Sequence, residues 1–200
     1  PPRSTPLYSS AASDVYKRQR RWSPIETATL SYGYGLSASA LQLASAYSVI
    51  ADDGIRKPVS LLRLSEAELA QLPHSQVISP TIATEVKAML ETVVDSSRGG
   101  SAIEANIPFY EVAGKTGTAH VVGDYGYEDN LHNSFFVGLV PASDPKIVVV
   151  VVINEPRGDE HYGGQVAAPV FSQIAAGAMR ILNISPDQIP KRNLLSRSIQ

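Results

Sequence analysis

Two apolar runs separated by five residues constrain this chain more than any other feature. Residues 133–140 read NSFFVGLV and residues 146–153 read KIVVVVVI, with only PASDP between them. Both runs are rich in the β-branched and aromatic residues that favour strands. A parallel crossover needs a dozen or more residues, so these two strands must form an antiparallel hairpin. The second run is almost solid valine, so its strand expects neighbours on its faces.

The segments before and after the hairpin carry helical period. Ser39 is placed to cap a helix through Ala51, with Leu41, Ala44, Tyr47 and Ile50 at steps of three. Leu43 and Ala46 are apolar too, so this helix is expected to be buried on most sides. Gly54 supplies its stop. Ser65 with Glu68 predicts a capping box opening a short helix over 66–71. Ser79-Pro80 predicts a further helix ending near Asp95, with Ile82, Val86, Met89 and Val93 on one face. Residues 96–101 read as a loop, 115–120 as a short strand and 121–132 as a polar loop. The last helix is expected over about 166–183, with Pro169 tolerated near its first turn. Helices, then antiparallel strands, then a helix imply an α/β chain of the α+β type. Its sheet is antiparallel and flanked by helices, not doubly wound and parallel.

Composition narrows the chemistry. The 200 residues contain no cysteine, which removes disulfides, thiolate metal sites, iron–sulfur clusters and thiol nucleophiles. The net charge of −2 gives no reason to expect nucleic acid as a partner. The longest apolar run, 147–153, is far shorter than the roughly 20 residues a membrane helix needs. His74, His120, His132 and His161 share no metal-ligand spacing, so no metal is expected. Residues 1–21 hold five of the 17 basic residues and show no period, so they read as a disordered or non-native tail. Residues 22–190 read as one domain part and 191–200 as a C-terminal tail.

One string carries chemistry. Residues 112–118 read Val-Ala-Gly-Lys-Thr-Gly-Thr. Gly-Lys-Thr ends a phosphate-binding loop, but that motif needs glycine where Phe109 stands, and must open a helix. The residues after Thr116 are strand-like instead. Lys-Thr-Gly on a cleft-lining strand suits acyl transfer. Lysine supplies a positive charge, threonine hydroxyls hold a substrate carboxylate, and glycine admits the substrate close to the backbone. A free strand N–H there serves as an oxyanion donor. A surface strand with a snorkelling lysine would carry the same tripeptide.

The surrounding strings decide between these. YGYGLSASALQLASAYSVIADDG (32–54), VAGKTGTA (112–119), NSFFVGLVPASDPKIVVVVVINEP (133–156) and HYGGQVAAPVFSQIAAGAMRILNISPD (161–187) resemble, in order and spacing, the class B penicillin-binding proteins. The resemblance covers about residues 22–190 and is nearest the division-specific septal transpeptidases of Gram-negative bacteria. It implies the C-terminal part of a transpeptidase fold, shared with serine β-lactamases. It implies Lys115 as an electrostatic catalyst and Thr116, Gly117 and Thr118 as substrate-binding residues, with the Thr118 backbone N–H as an oxyanion donor. Tyr162-Gly163-Gly164 reads as a helix entry or a cleft-side turn, and His120 as a strand residue near the cleft. The implied substrate is the D-Ala-D-Ala stem peptide of peptidoglycan, with β-lactams as its mimics and no cofactor. Division proteins of the membrane are implied as partners, and the periplasmic face of the inner membrane as the place, through an N-terminal anchor absent from this chain. The family also needs Ser-x-x-Lys, with the nucleophilic serine, and Ser-x-Asn. The expectation is that this chain carries neither, and that the nucleophile lies N-terminal to residue 22. A module that binds without catalysing is the alternative.

Overall fold

The computed structural model describes residues 22–31, 33, 36–123 and 126–188. The expected tails, 1–21 and 191–200, lie outside the described residues. The chain divides into two compact units, residues 1–43 and 44–200.

In the first unit, helix α1 (Pro24–Ser31) opens on a capping box. The Glu26 N–H donates to Ser23 Oγ at 3.2 Å and the Ser23 N–H to Glu26 Oε2 at 2.8 Å, satisfying two donors that the helix start would orphan. Helix α2 (Ala40–Ala51) runs across the division, with the Gln42 N–H donating to Ser39 Oγ as its composition predicts. The expectation of burial on most sides fails. Only Val49 is buried and Leu41 is 57 % exposed.

In the second unit, Gly54 ends α2. Its φ of +86° and N–H bond to Val49 O fit the left-handed stop, and a side chain there would strike the Ile78 carbonyl. A two-residue antiparallel pair follows, β1 (Ile55–Arg56) with β2 (Ser75–Gln76). Between them lies α3 (Glu66–Gln71), opened by the Ser65–Glu68 capping box. Helix α4 (Pro80–Glu91) starts on Ser79 and Pro80 as expected but stops before Asp95. There the Asp95 carboxylate caps a 3₁₀ turn, Ser96–Arg98, by accepting from the Ser97 N–H at 2.8 Å.

Three strands then form one antiparallel sheet in the order β3 (Ala113–Gly123), β4 (Gly126–Val140), β5 (Ile147–Asn154). The hairpin of β4 and β5 pairs Phe136 with Val151 and Val140 with Ile147. The expected loop at 121–132 is instead mostly strand. Pairing of β3 with β4 continues past His120–His132, shifts register, and runs on to Gly123–Gly126. The ladder is built from backbone groups, so polar side chains do not prevent it. The final helix is broken in two, α5 (Gly163–Val166) and α6 (Ala168–Ile181), with Ala167 between them. Pro169 has no N–H and so favours a fresh first turn over an unbroken helix.

Helices cover both faces of the sheet. On one face Phe136, Val140 and Val151 pack against Phe171, Ala175 and Met179 of α6. The Phe136 and Phe171 rings meet edge to face at 4.8 Å and both are fully buried. On the other face Ala113, Leu139 and Ala142 pack with Leu90, flanked by Tyr47, Ile50 and Val86. Tyr47 is partly desolvated there, which raises its phenol above the usual range. The two-sided cover accounts for the valine run of β5: Val151 joins one core and Val148 flanks the other. Among the described residues no helix is long and apolar enough to cross a membrane.

Candidate active-site cleft

Among the described residues strand β3 pairs with β4 alone and so forms an edge of the sheet. Alternate backbone N–H and C=O groups of such an edge point away from its neighbour, free for a ligand strand. Alternation also sorts its side chains. Thr116 and Thr118 share one face with Gly114, while Lys115 shares the other with Ala113 and Gly117. The Gly114 position abuts Phe136 and the Gly117 position abuts the Phe135 ring, so neither tolerates a side chain without displacing an aromatic.

The threonine face opens into a cleft of about 300 Å³ lined by Ser101, Thr116, Thr118, Tyr162, Gly163, Gly164 and Gln165. Three contacts set its shape. The Gly163 N–H, at the start of α5, donates to Thr118 Oγ1 at 3.1 Å. Ser101 Oγ lies 3.4 Å from Thr116 Oγ1. Ser134, paired opposite Thr118, is fully buried and donates its hydroxyl to the His161 carbonyl. Gly163 and Gly164 are buried, and a Cβ on either would collide with backbone carbonyls of Phe135 or Ser101. Glycine is therefore what lets α5 approach the strand closely enough for its N–H to reach Thr118. Because Thr118 Oγ1 already accepts from Gly163, its own O–H is left to donate outward. Such a chained donor is strengthened by the bond it accepts.

Lys115 is exposed and its ammonium donates to the Thr116 carbonyl at 3.0 Å. It therefore stands beside the motif, on the face opposite the two threonine hydroxyls. Its long stem bends back along the strand, which partly offsets the separation that alternation imposes. Tyr162-Gly163-Gly164 is both a helix entry and a wall of the cleft. Ser101 and Gln165 join the cleft without a sequence signal of their own; the Gly99-Gly100 turn before Ser101 was the only hint.

The histidines, scattered in sequence, gather in space. His120 and His132 stand opposite each other on β3 and β4 with ring centroids 4.6 Å apart. His161 stacks on His132 at 4.3 Å, and Tyr162 on His161 at 4.4 Å. Desolvation, then the charges of His161 and His120, hold the His132 imidazole below its usual range. The stacked rings do not converge as metal ligands do, and no metal-binding group forms among the described residues.

The expectation that no serine has a lysine three positions on needs correcting: Ser143-Asp144-Pro145-Lys146 has that spacing. The structure removes it as a nucleophile motif. It lies in the turn after Val140, six residues beyond Ser134 and so about 20 Å along β4 from the cleft. Ser143 donates to Asp187 Oδ2 at 2.6 Å, while Lys146 pairs with Asp144 at 2.5 Å, so the two are not partners. Thr84 and Lys87 lie on α4, where the Thr84 hydroxyl is spent on the Pro80 carbonyl. A larger hollow of about 410 Å³ lies between residues 91–98 and 110–112. Its lining includes Glu91, Asp95, Arg98 and Glu111, and no Lys-Thr-Gly group reaches it. Convergent hydroxyl and N–H donors make the smaller cleft the candidate site.

The penicillin binding protein transpeptidase domain matches residues 7–176. The chain is 45 % identical over 169 residues to a probable peptidoglycan D,D-transpeptidase, PbpC, of Pseudomonas aeruginosa, covering 84 % of this chain and 29 % of that protein. It is 41 % identical over 177 residues to the peptidoglycan D,D-transpeptidase FtsI of Escherichia coli K12, covering 88 % of this chain and 29 % of that protein. Among solved structures, the transpeptidase domain of Burkholderia pseudomallei penicillin-binding protein 3 superposes with a TM-score of 0.76 at 44 % identity, covering 85 % of this chain and 50 % of that one. The chain thus spans under a third of the length of these two relatives, and with it comes the Lys-Thr-Gly edge strand, the flanking hairpin and the closing helix. The chain belongs to the penicillin-binding protein transpeptidase domain family.

Proposed function

We propose that this chain is the cleft-forming C-terminal part of a serine-type peptidoglycan D,D-transpeptidase that cross-links stem peptides during septal wall synthesis. The observation that carries the reading is the polarised pair on one strand face: Thr116 and Thr118 side by side, the second backed by the Gly163 N–H at 3.1 Å. Such a neutral donor array suits a terminal carboxylate, the group that a D-Ala-D-Ala stem and a β-lactam share.

In the proposed reaction a serine supplied from outside residues 22–188 attacks the penultimate D-Ala carbonyl. Its proton passes to a base, the C–N bond breaks, and D-Ala leaves as the amine. An acyl ester remains, which the amine of a second stem resolves. Thr116 and Thr118 hold the substrate carboxylate, Gly117 lets the peptide approach the strand, and the Thr118 N–H faces the oxyanion. Lys115 supplies positive charge where negative charge develops. The parent is read as anchored by an N-terminal segment at the periplasmic face of the inner membrane, among division proteins.

A second reading is a module that binds wall peptide without catalysis. It draws on the cleft's lack, among the described residues, of any Ser-x-x-Lys. Labelling with a fluorescent penicillin on a denaturing gel separates the two. The 200-residue chain alone should give no band. The same chain extended by the residues encoded upstream should give one that Lys115→Ala weakens. An extended chain that stays unlabelled leaves the binding module.

A further inference from the structure

The cleft chemistry leaves three histidines unused. His120, His132, His161 and Tyr162 form one continuous column of rings, with neighbouring centroids 4.3–4.6 Å apart. The column runs from the outer strand pairs to the cleft wall, because Tyr162 is itself a lining residue. The backbone beneath it is fastened at two points. Ser134 donates to the His161 carbonyl, and the Gly163 N–H donates to Thr118 Oγ1. Over this fastened backbone Tyr162 is 60 % exposed, which leaves its side chain room to move.

Neutral imidazoles stack as aromatics do, whereas two protonated rings at this spacing repel. The charges that act on His132 are those of its two ring neighbours, His161 and His120. Glu155 follows β5 and donates its N–H to the His132 carbonyl at 2.8 Å. Asp159 and Glu160 precede His161, and Asp124, Glu128 and Asp129 follow His120 in sequence. Ring-to-ring repulsion within the column acts on His132 in the same direction as its desolvation.

We propose that His120, His132 and His161 form a proton-operated clasp on the cleft wall: the neutral stack holds Tyr162 in place, and protonation of neighbouring rings parts it and frees Tyr162 to move. His132, between the two other rings, takes up a proton against their charges. Coupled groups of this kind titrate in steps that belong to the cluster rather than to single residues. This inference does not depend on the transpeptidase reading, since it concerns only the wall of the cleft.

The test uses the full chain carrying Tyr162→Trp with Trp22→Phe, so that one indole reports from the column. A stacked protonated imidazole quenches indole emission. As pH falls from about 7.5 to 4.5, emission should first fall as the column takes up its first proton. It should then recover as the stack parts, at a distinct and lower midpoint. His132→Gln removes the inner charge, so the fall should remain and the recovery vanish. His161→Gln, whose backbone carbonyl still receives Ser134, should abolish the fall. A monotonic fall with no recovery in the parent chain overturns the clasp. So does a recovery that survives His132→Gln, or a far-ultraviolet circular dichroism change that tracks the emission.

Discussion

Thr118→Val isolates the bond that ties the strand to the closing helix. Valine keeps the β-branched shape and the strand preference and deletes only the hydroxyl. The Gly163 N–H then loses its acceptor at 3.1 Å while Gly163 itself stays buried. A stranded donor costs about 1–3 kcal/mol. Thr118 is exposed, so water reaches part of the gap, and the cost falls at the lower end, about 1 kcal/mol. For a chain of this size that is a fall in Tm of about 2–4 °C. Thr116→Val is the matched control. Among the described residues its hydroxyl meets only Ser101 Oγ, at 3.4 Å, so its loss should stay within about 0.5 kcal/mol. Thr118→Ser restores the acceptor and should recover most of the loss. Urea denaturation of the four proteins reads the comparison without any assumption about catalysis. Equal midpoints for the two valine variants, or no recovery with serine, would refute the claim that Thr118 braces α5. The same pair tests the cleft in the extended protein. Thr118→Val should weaken a carboxylate-bearing β-lactam but not its methyl ester.

Three further outcomes follow from the same geometry. Lys115→Ala in the extended protein should slow acylation about 100–1,000-fold, as removal of a preorganised donor does, and an unchanged second-order acylation rate would show that β3 is not the cleft strand. Glu91 is held above its usual range by desolvation and then by the Glu111 charge, so its ionised form destabilises the fold at neutral pH; stability should rise as pH falls through its raised pKa. Glu91→Gln should therefore melt higher at pH 7, with the advantage gone below the unfolded carboxylate pKa, as thermal melts at the two pH values will read. Phe171→Ala removes a fully buried ring against Phe136 and should cost about 3–5 kcal/mol by urea denaturation, whereas Ile181→Ala, at 85 % exposure, should stay within about 0.5 kcal/mol.

Features set by near neighbours in sequence were legible before the structure. The Ser65–Glu68 box, the Ser79-Pro80 start and the Gly54 stop each depend on residues within a turn or so of one another, and each appears where the pattern puts it. The 133–140 and 146–153 hairpin was legible because a five-residue link leaves one topology open. The strand extension beyond His120 was not, because its ladder is made by backbone groups that polar residues share equally with apolar ones. The exposed face of α2 was not either. Periodicity marks a face as apolar but does not say what covers it.

Two residue pairs show where the boundary lies for chemistry. Ser143 and Lys146 have a nucleophile's spacing, yet Pro145 stands between them and Asp187 and Asp144 claim their polar ends. The nucleophile motif needs its serine and lysine on one helix face, and the link between β4 and β5 is not a helix. Thr118 and Gly163 have no shared motif and lie 45 residues apart, yet they meet at 3.1 Å. What joins them is local at each end. Alternation on β3 turns Thr118 toward α5, and Gly163 and Gly164, lacking side chains, let α5 come close enough to reach it. The glycine pair at 163–164 is thus the sequence trace of a tertiary contact. It reads as a helix entry until the strand opposite is known, and then as the reason the cleft has a second wall.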